Sequence, residues 1–79
     1  MRVTLYTGPG CGPCYGLKAA LTRAGVDYVE FSAADAPDVD RWRALGWQTP
    51  VVQYAGIEFS GFDPAKVQAL IDAAHLARS

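Results

Sequence analysis

The sequence predicts an α/β fold in which a mixed four-stranded sheet carries three helices on its two faces, in the order β-α-β-α-β-β-α. Short runs rich in β-branched and aromatic residues alternate with stretches whose apolar residues recur at steps of three and four. These are the periodicities of strands and helices. Glycine or proline stands at most of the boundaries. The last two strands are separated only by Ala55 and Gly56, which predicts an antiparallel hairpin.

The first strand and the first helix are joined by a glycine-rich turn. The strand covers residues 2–7, and the helix ends at Gly25, a residue type favoured after the last helical turn. Pro13 suits the first turn, where its missing N–H costs nothing. Cys11 is therefore expected just before the helix N-terminus, and Cys14 within the first turn. The apolar residues at helical spacing are Cys14, Leu17, Leu21 and Ala24.

The middle of the chain predicts a second strand, a linker and a second helix. Residues 26–31 include strong strand formers, and residues 32–35 are expected to form a polar linker. The second helix is expected to begin at Pro37, to carry acidic residues in its first turn and to end at Gly46. Its predicted apolar stripe consists of Val39, Trp42 and Leu45.

The last part of the chain predicts the hairpin and a third helix. A strand at residues 49–54 turns back into a short strand at residues 57–59. Asp63 is expected to cap a helix that begins at Pro64. The two β-α-β connections predict parallel neighbours, and the hairpin adds an antiparallel edge. The residues expected to face inward on the last helix are Val67, Leu70, Ile71 and Ala74.

Length, composition and charge limit the class of protein. With 79 residues, of which 51% are hydrophobic and 19% charged, residues 1–79 are expected to form a single globular domain. The net charge of −1 and the lack of a basic run argue against nucleic-acid binding. The first residues are too polar for a signal segment, and no apolar run is long enough to span a bilayer. We expect a monomeric cytoplasmic protein that does not bind membranes.

The only two cysteines, Cys11 and Cys14, form a C-x-x-C pair, which is typical of a redox dithiol. A structural disulfide is the less favoured interpretation, because closing so short a loop contributes only about 2 kcal/mol. A zinc site normally needs four ligands, and beyond the cysteines the chain has only His75. A closed zinc site would therefore require a dimer or help from carboxylates. We expect no bound metal and no cofactor other than the redox-active Cys11–Cys14 disulfide.

Several other conspicuous residues have simpler interpretations than a functional one. We interpret Trp42 and Trp47 as packing residues, and Arg41 and Arg43 as parts of a solvated helix face. His75 lies near the end of the last predicted helix, where an exposed residue is the expected outcome.

These features together resemble the thioredoxin superfamily, and in particular its glutaredoxin-like branch. The resemblance rests on a strand, a C-x-x-C pair at a helix start and Thr49-Pro50 before the third strand. It covers essentially the whole chain and implies a thioredoxin-like fold. NrdH-redoxins resemble glutaredoxins but behave like thioredoxins, as electron donors to class Ib ribonucleotide reductase. The segment similar to their W-S-G-F-R-P signature is Phe59-Ser60-Gly61-Phe62-Asp63-Pro64.

The chain also departs from the family pattern. Gly8 stands where the family commonly carries a lysine, Phe59 replaces the usual tryptophan, and Asp63 replaces the usual arginine. The dithiol has the thioredoxin sequence Cys-Gly-Pro-Cys rather than the more variable pair of NrdH-redoxins. The electron donor and the redox potential therefore do not follow from the resemblance alone.

The position of the two cysteines predicts their roles in catalysis. A sulfur at a helix N-terminus meets unpaired N–H groups and the positive end of the helix dipole, which favour the thiolate. Cys11 is thus the expected nucleophile, and Cys14 resolves the mixed disulfide. Because Gly8 supplies no cation, backbone N–H groups are expected to do most of the stabilisation. Pro13 should stiffen the first turn and favour a more reducing couple.

The resemblance implies further site residues around the dithiol. Pro50 corresponds to a cis-proline that faces the dithiol, so that Thr49 offers its backbone to an extended substrate. Gly61 is expected to allow a close backbone approach. Tyr6 and Phe62 either flank the sulfurs or pack as core aromatics. The substrate-binding residues implied are Thr49, Pro50, Gly61 and Phe62. The residues expected to support the motif are Gly12, Pro13 and Ser60.

Three functions are consistent with this sequence. The first is a protein-disulfide reductant that receives electrons from NADPH through thioredoxin reductase and delivers them to the large subunit of class Ib ribonucleotide reductase. The second is a glutathione-dependent glutaredoxin, with Arg41 or Arg43 binding a carboxylate of glutathione and Asp63 its amino group. The third is a metal- or cluster-binding module, which two cysteines permit only through dimerisation or external thiols.

Overall fold

In a computed structural model, which describes residues 2–78, the elements follow the predicted order. A single 3-10 turn at Ala33–Asp35 is added between the second strand and the second helix. The elements are β1 (Val3–Thr7), α1 (Gly12–Arg23), β2 (Tyr28–Ser32), α2 (Val39–Ala44), β3 (Val51–Tyr54), β4 (Ile57–Ser60) and α3 (Pro64–Arg78). None of the helices within the described residues has the length and apolar character needed to cross a membrane.

The four strands form one mixed sheet in the order β2-β1-β3-β4. β1 and β2 are parallel, whereas β1 pairs with β3, and β3 with β4, in antiparallel fashion. This arrangement confirms the predicted mixed four-stranded sheet. It places the C-terminal end of β1, which leads into the C-x-x-C turn, in the middle of the sheet.

The direction of β3 corrects one prediction. The β-α-β rule gives the right answer for β1 and β2. It gives the wrong one for β2 and β3, because β3 lies next to β1 instead of β2 and runs antiparallel to it. The end of β2 at Ser32 pairs with Thr7, and the start of β3 at Val51 pairs with Tyr6, so both lie at the same end of β1. With six residues, α2 spans only about 9 Å at 1.5 Å per residue. The connection therefore returns to the end of the sheet where it began, and β3 runs back antiparallel.

The two faces of the sheet carry different helices. On one face, α1 and α3 pack over the main core, which confirms the predicted inward face of α3. On the other face, Trp42 of α2 packs with Val51 and Ala36 in a smaller core. The main core includes Val3, Leu5, Leu17, Leu21, Val52, Phe59, Val67, Leu70, Ile71 and Ala74.

The ends of α1 and α3 also follow the prediction. Gly25 comes directly after the cap residue Ala24 and has a φ of 73°, a conformation that suits glycine at a helix end. At the start of α3, the Asp63 carboxylate accepts a hydrogen bond from the backbone N–H of Ala65 at 3.0 Å. Local sequence is enough to define both of these helix ends.

The region between β2 and β3 differs from the prediction. β2 begins at Tyr28 rather than at residue 26, and the expected linker forms the 3-10 turn. α2 begins at Val39 rather than at Pro37, and it is too short for a three-membered stripe. Leu45 caps its C-terminus and is 54% exposed, so its assignment to the buried stripe is wrong.

Candidate active site

The two cysteines form a disulfide at the start of α1. Cys11 is the N-cap residue of α1, with extended backbone angles of −86° and 99°, and Cys14 lies in its first turn. Their Cα atoms are 5.3 Å apart. The structure therefore shows the oxidised form of the pair, and the predicted placement of both residues is confirmed.

The sulfur of Cys11 takes the role that an oxygen has in an ordinary helix cap. Its Sγ accepts a hydrogen bond from the backbone N–H of Cys14 at 3.1 Å. Serine or aspartate side chains normally satisfy these free N–H groups. A thiolate at this position would gain the same hydrogen bond and the positive end of the helix dipole. The backbone alone thus provides an environment that favours a charged sulfur.

Burial distinguishes the two cysteines. Cys11 is 9% exposed and Cys14 is 3% exposed. Attack on a disulfide in another protein requires an accessible sulfur. Of the two cysteines, Cys11 is therefore the more accessible to a substrate disulfide.

The nearest cation to the dithiol along α1 is Lys18, and it forms an ion pair with Glu30. The ammonium of Lys18 lies 3.2 Å from a carboxylate oxygen of Glu30 on β2 and 5.0 Å from the centroid of the Tyr15 ring. The Thr7 hydroxyl donates to the same carboxylate at 2.7 Å. These two donors, Thr7 more than Lys18, lower the pKa of Glu30 below its usual value. Lys18 is therefore neutralised locally by Glu30.

The segment before β3 lies next to the loop that leads to Cys11. The Thr49-Pro50 peptide bond is cis, as the resemblance implies. A Cβ placed on Gly8 would lie 3.4 Å from the Thr49 hydroxyl oxygen, so the two residues are direct neighbours. The carbonyl of Pro50 accepts a hydrogen bond from the N–H of Gly61 at 2.8 Å. Gly61 has a φ of 82°, which favours glycine at this point.

Phe62, which follows Gly61, contacts α1. Its ring lies so close to Gly16 of α1 that a Cβ there would be 3.0 Å from the ring, and Phe62 is 42% exposed. Tyr6 packs instead against Trp42, with ring centroids 4.9 Å apart, in the smaller core. Of the two aromatic residues, Phe62 therefore lies beside the active-site helix and Tyr6 is a packing residue.

Gly12, Pro13 and Ser60 are the residues predicted to support the motif. Gly12 and Pro13 are exposed in the first turn of α1, and Ser60 ends β4 opposite Val51. The Thr49-Pro50 and Gly61-Phe62 segments, joined by one hydrogen bond, thus contact residues on both sides of the C-x-x-C turn.

A family model described as Glutaredoxin matches residues 3–54, which include both cysteines and the Thr49-Pro50 bond. The chain belongs to the glutaredoxin family. Like other members it is a thiol-disulfide oxidoreductase, and the Cys11–Cys14 disulfide is its redox-active group.

Full-length relatives place this glutaredoxin near the NrdH-type proteins. The glutaredoxin-like protein NrdH of Escherichia coli K12 is 34% identical over 79 residues, which cover 98% of both chains. The corresponding protein of Salmonella typhimurium is 32% identical over the whole of both chains. The gene 56 protein of Mycobacterium phage L5 is 34% identical, over 89% of this chain and 72% of its own.

Solved structures agree with these relatives. The NrdH-redoxin of Escherichia coli has a TM-score of 0.74 at 33% identity, over 89% of this chain and 95% of its own. The glutaredoxin of Brucella melitensis has a TM-score of 0.67 at 30% identity, over 99% of this chain and 86% of its own. The resemblance to NrdH-redoxins and the thioredoxin-like fold are both confirmed.

Two features of this glutaredoxin escaped the sequence-based prediction, and the first is a groove beside α2. It has a volume of about 260 Å³ and lies between α2 and the loop at Gly8 and Pro9. We call it the α2 groove. Thr49 contributes to its wall, so the groove continues from the segment that precedes the cis-proline. Its other walls include Val39, Trp42, Arg43, Trp47 and Val51.

The second feature is a polar cluster around Glu58 of β4. The two terminal guanidinium nitrogens of Arg41, Nη1 and Nη2, donate to the Glu58 carboxylate at 2.9 and 2.7 Å. The side chains of Gln53 and Trp42 donate to it as well, at 2.8 and 3.3 Å. Arg41 first, then Gln53, lower the pKa of Glu58 from 4.5 to about 2, although burial opposes them. The sequence alone predicts a solvated position for Arg41, because no local pattern links it to a residue 17 positions away.

Potential metal ligands do not cluster in the described part of the chain. Within residues 2–78, no group of three or more histidine, cysteine or acidic side chains is arranged to hold a metal ion. His75 contacts the backbone carbonyl of Ala24, 2.8 Å from its Nε2.

Proposed function

We propose that this glutaredoxin-family protein is a small electron carrier that reduces disulfides in other proteins, with Cys11 as nucleophile and Cys14 as resolving cysteine. The observation that carries the proposal is the cap geometry. Cys11 is the more exposed cysteine, and the backbone N–H of Cys14 donates a hydrogen bond to its sulfur at 3.1 Å.

The proposed reaction is a two-step exchange. The Cys11 thiolate attacks one sulfur of the substrate disulfide, the substrate S–S bond breaks, and the departing sulfur takes up a proton. The thiol of Cys14 then loses its proton and attacks the Cys11 sulfur, which releases the second substrate thiol. The protein has donated two electrons and is left with the Cys11–Cys14 disulfide seen in the structure.

The neighbouring segments are proposed to bind the substrate. The backbone of Thr49, before cis-Pro50, would pair with an extended stretch around the substrate cysteine. Gly61 and the half-exposed ring of Phe62 would contact the substrate on the other side. Gly12, Pro13 and Ser60 would maintain the shape of the surrounding turns.

The proposed partners are thioredoxin reductase as electron donor, with NADPH as the source, and the large subunit of a class Ib ribonucleotide reductase as acceptor. Support comes from the similarity to NrdH proteins over nearly the whole chain. The Escherichia coli NrdH-redoxin is described as having a thioredoxin-like activity profile. We propose that the protein works as a monomer in the cytoplasm.

Glutathione-dependent reduction is the second candidate. The match to the Glutaredoxin family model favours it, as does Arg43 in the wall of the α2 groove. Two observations weigh against it. Arg41, one of the two cations considered for glutathione, is held by Glu58. The Asp63 carboxylate, considered for the amino group, already accepts a hydrogen bond at the start of α3.

One experiment separates the two candidates. The oxidised protein is incubated with an excess of a disulfide-containing acceptor protein, NADPH and thioredoxin reductase, and separately with the same acceptor, glutathione, NADPH and glutathione reductase, and NADPH consumption is followed. We expect turnover in the first mixture and little in the second. Turnover in the glutathione mixture alone would overturn the proposal.

A further inference from the structure

The α2 groove adjoins the proposed substrate-binding segment. Thr49, which directly precedes cis-Pro50, forms part of its wall, and Gly8 and Pro9 form another part just before the C-x-x-C turn. An extended chain that pairs with the backbone of Thr49 would therefore pass the mouth of the groove. Side chains close to the substrate cysteine are the ones that would reach it.

The walls of the groove are suited to an apolar side chain. Val39, Trp42, Trp47 and Val51 line it. Trp42 is only 3% exposed and is held by its hydrogen bond to Glu58 at 3.3 Å and by its packing against Tyr6. A wall fixed in this way loses little conformational freedom when a ligand binds, which favours affinity.

The size of the groove suits a single side chain. Pockets that enclose small-molecule ligands usually measure about 300–1,000 Å³. The α2 groove, at about 260 Å³, lies just below that range. It accommodates one large side chain more readily than a whole tripeptide.

The positive charge of Arg43 at the groove indicates an acidic residue in the substrate, next to the apolar side chain. Arg43 is the charged residue among those that line the groove in the described structure. Its ion pair with Asp40 has an N–O distance of 3.5 Å, and the two side chains are 71% and 93% exposed. Pairs this exposed contribute little energy, so Arg43 can exchange Asp40 for a carboxylate on a substrate.

We propose that the α2 groove is a specificity site that receives a large apolar side chain of the protein substrate, next to the cysteine under attack, with an acidic residue beside it facing Arg43. The inference rests on the proposed reduction of protein disulfides and adds a sequence preference to it. The exchange reaction itself is unchanged, because the groove acts only through binding of the substrate chain.

The test uses two short peptides, each closed by one disulfide, that differ at a single residue beside a cysteine: tryptophan in one and glycine in the other. The second-order rate constant for their reduction by the reduced protein is measured. Burial of a large apolar side chain should favour the tryptophan peptide about tenfold. Ala34→Trp, at an exposed residue lining the groove, should fill the groove and bring the ratio close to one. Ala69→Trp, at an exposed position on α3, should leave it unchanged.

The charge is tested with a second pair of peptides, which carry glutamate or glutamine beside the tryptophan. The glutamate peptide should react about threefold faster at low salt, in line with an exposed ion pair, and Arg43→Gln should abolish the difference.

The outcomes are distinct. Equal rates for the tryptophan and glycine peptides, or a ratio that survives Ala34→Trp, would overturn the groove proposal while leaving protein-disulfide reduction intact. Failure to reduce either peptide would overturn the proposed function itself, and the groove proposal with it. The groove would instead be a glutathione site if oxidised glutathione were reduced faster than both peptides and if Ala34→Trp lowered that rate.

Discussion

Cys11 at the start of α1 and Glu58 on β4 both accept hydrogen bonds that favour a negative charge, but the donors differ in kind. Cys11 receives a backbone N–H at the helix end, whereas Glu58 receives side-chain donors, including the full charge of Arg41. A sulfur that must gain and lose its charge in every cycle meets only partial charges. A carboxylate that remains charged is held by a cation. We infer that the Cys11 site favours a reversible change of charge on the sulfur. The Glu58 cluster instead favours a rigid structure.

The largest expected effects come from replacing the cysteines. Cys11→Ser removes the nucleophile and should abolish reduction of every disulfide substrate. Cys14→Ser leaves the attacking sulfur in place but removes the resolving one, so a mixed disulfide with the substrate should accumulate. Mass spectrometry of the reaction mixtures, with and without added reductant, distinguishes the two variants. Full turnover by Cys14→Ser would contradict the assigned roles.

The redox potential is the next largest effect. Because Pro13 stiffens the first turn of α1, we expect the dithiol to lie near thioredoxin, at about −270 mV, rather than at about −200 to −230 mV as in glutaredoxins. The gap corresponds to about 2–3 kcal/mol for two electrons. Equilibration with glutathione buffers measures the potential. A value above about −220 mV would show that the site behaves as a glutaredoxin.

Replacement of Glu58 tests how much its polar cluster stabilises the fold. Glu58→Gln keeps the shape of the side chain but removes the charge that binds Arg41, and should lower the free energy of unfolding by about 1–2 kcal/mol. Asp40→Asn is the matched control, because it breaks the exposed pair that Asp40 forms with Arg43 within α2, and it should cost no more than about 0.5 kcal/mol. Urea unfolding of both variants measures the difference. Equal losses would mean that the Glu58 cluster is no stronger than a surface pair.

The same cluster predicts a pH dependence. The pKa of Glu58 is lowered from 4.5 to about 2 in the folded protein, chiefly by Arg41. A lowered carboxylate pKa means that the stabilisation is complete above pH 4.5 and is lost as the pH falls towards about 2. Wild-type protein should therefore lose more stability than Glu58→Gln over this interval. Parallel pH profiles for the two proteins would rule out the contribution of Glu58.

The sequence predicts the Cys11 site better than the polar cluster around Glu58. Cys11, Pro13 and Cys14 act through a helix start, which local sequence determines, and the inward faces of α1 and α3 follow from their periodicity. Glu58 and Arg41 meet only because α2 folds over β4, and no local pattern encodes that contact. The antiparallel direction of β3 has the same origin, since it depends on the short path of the connection through α2. The α2 groove likewise needs three separate segments to come together.

The central claim is that the backbone at the start of α1, and not a charged side chain, activates Cys11. The most direct measurement is the pKa of the Cys11 thiol in the reduced protein, followed by thiolate absorbance in the wild type and in Lys18→Met. We predict a pKa below the value of about 8.5 for free cysteine in both proteins, with no difference between them. A pKa in the ordinary range, or one that rises when Lys18 is replaced, would contradict the claim.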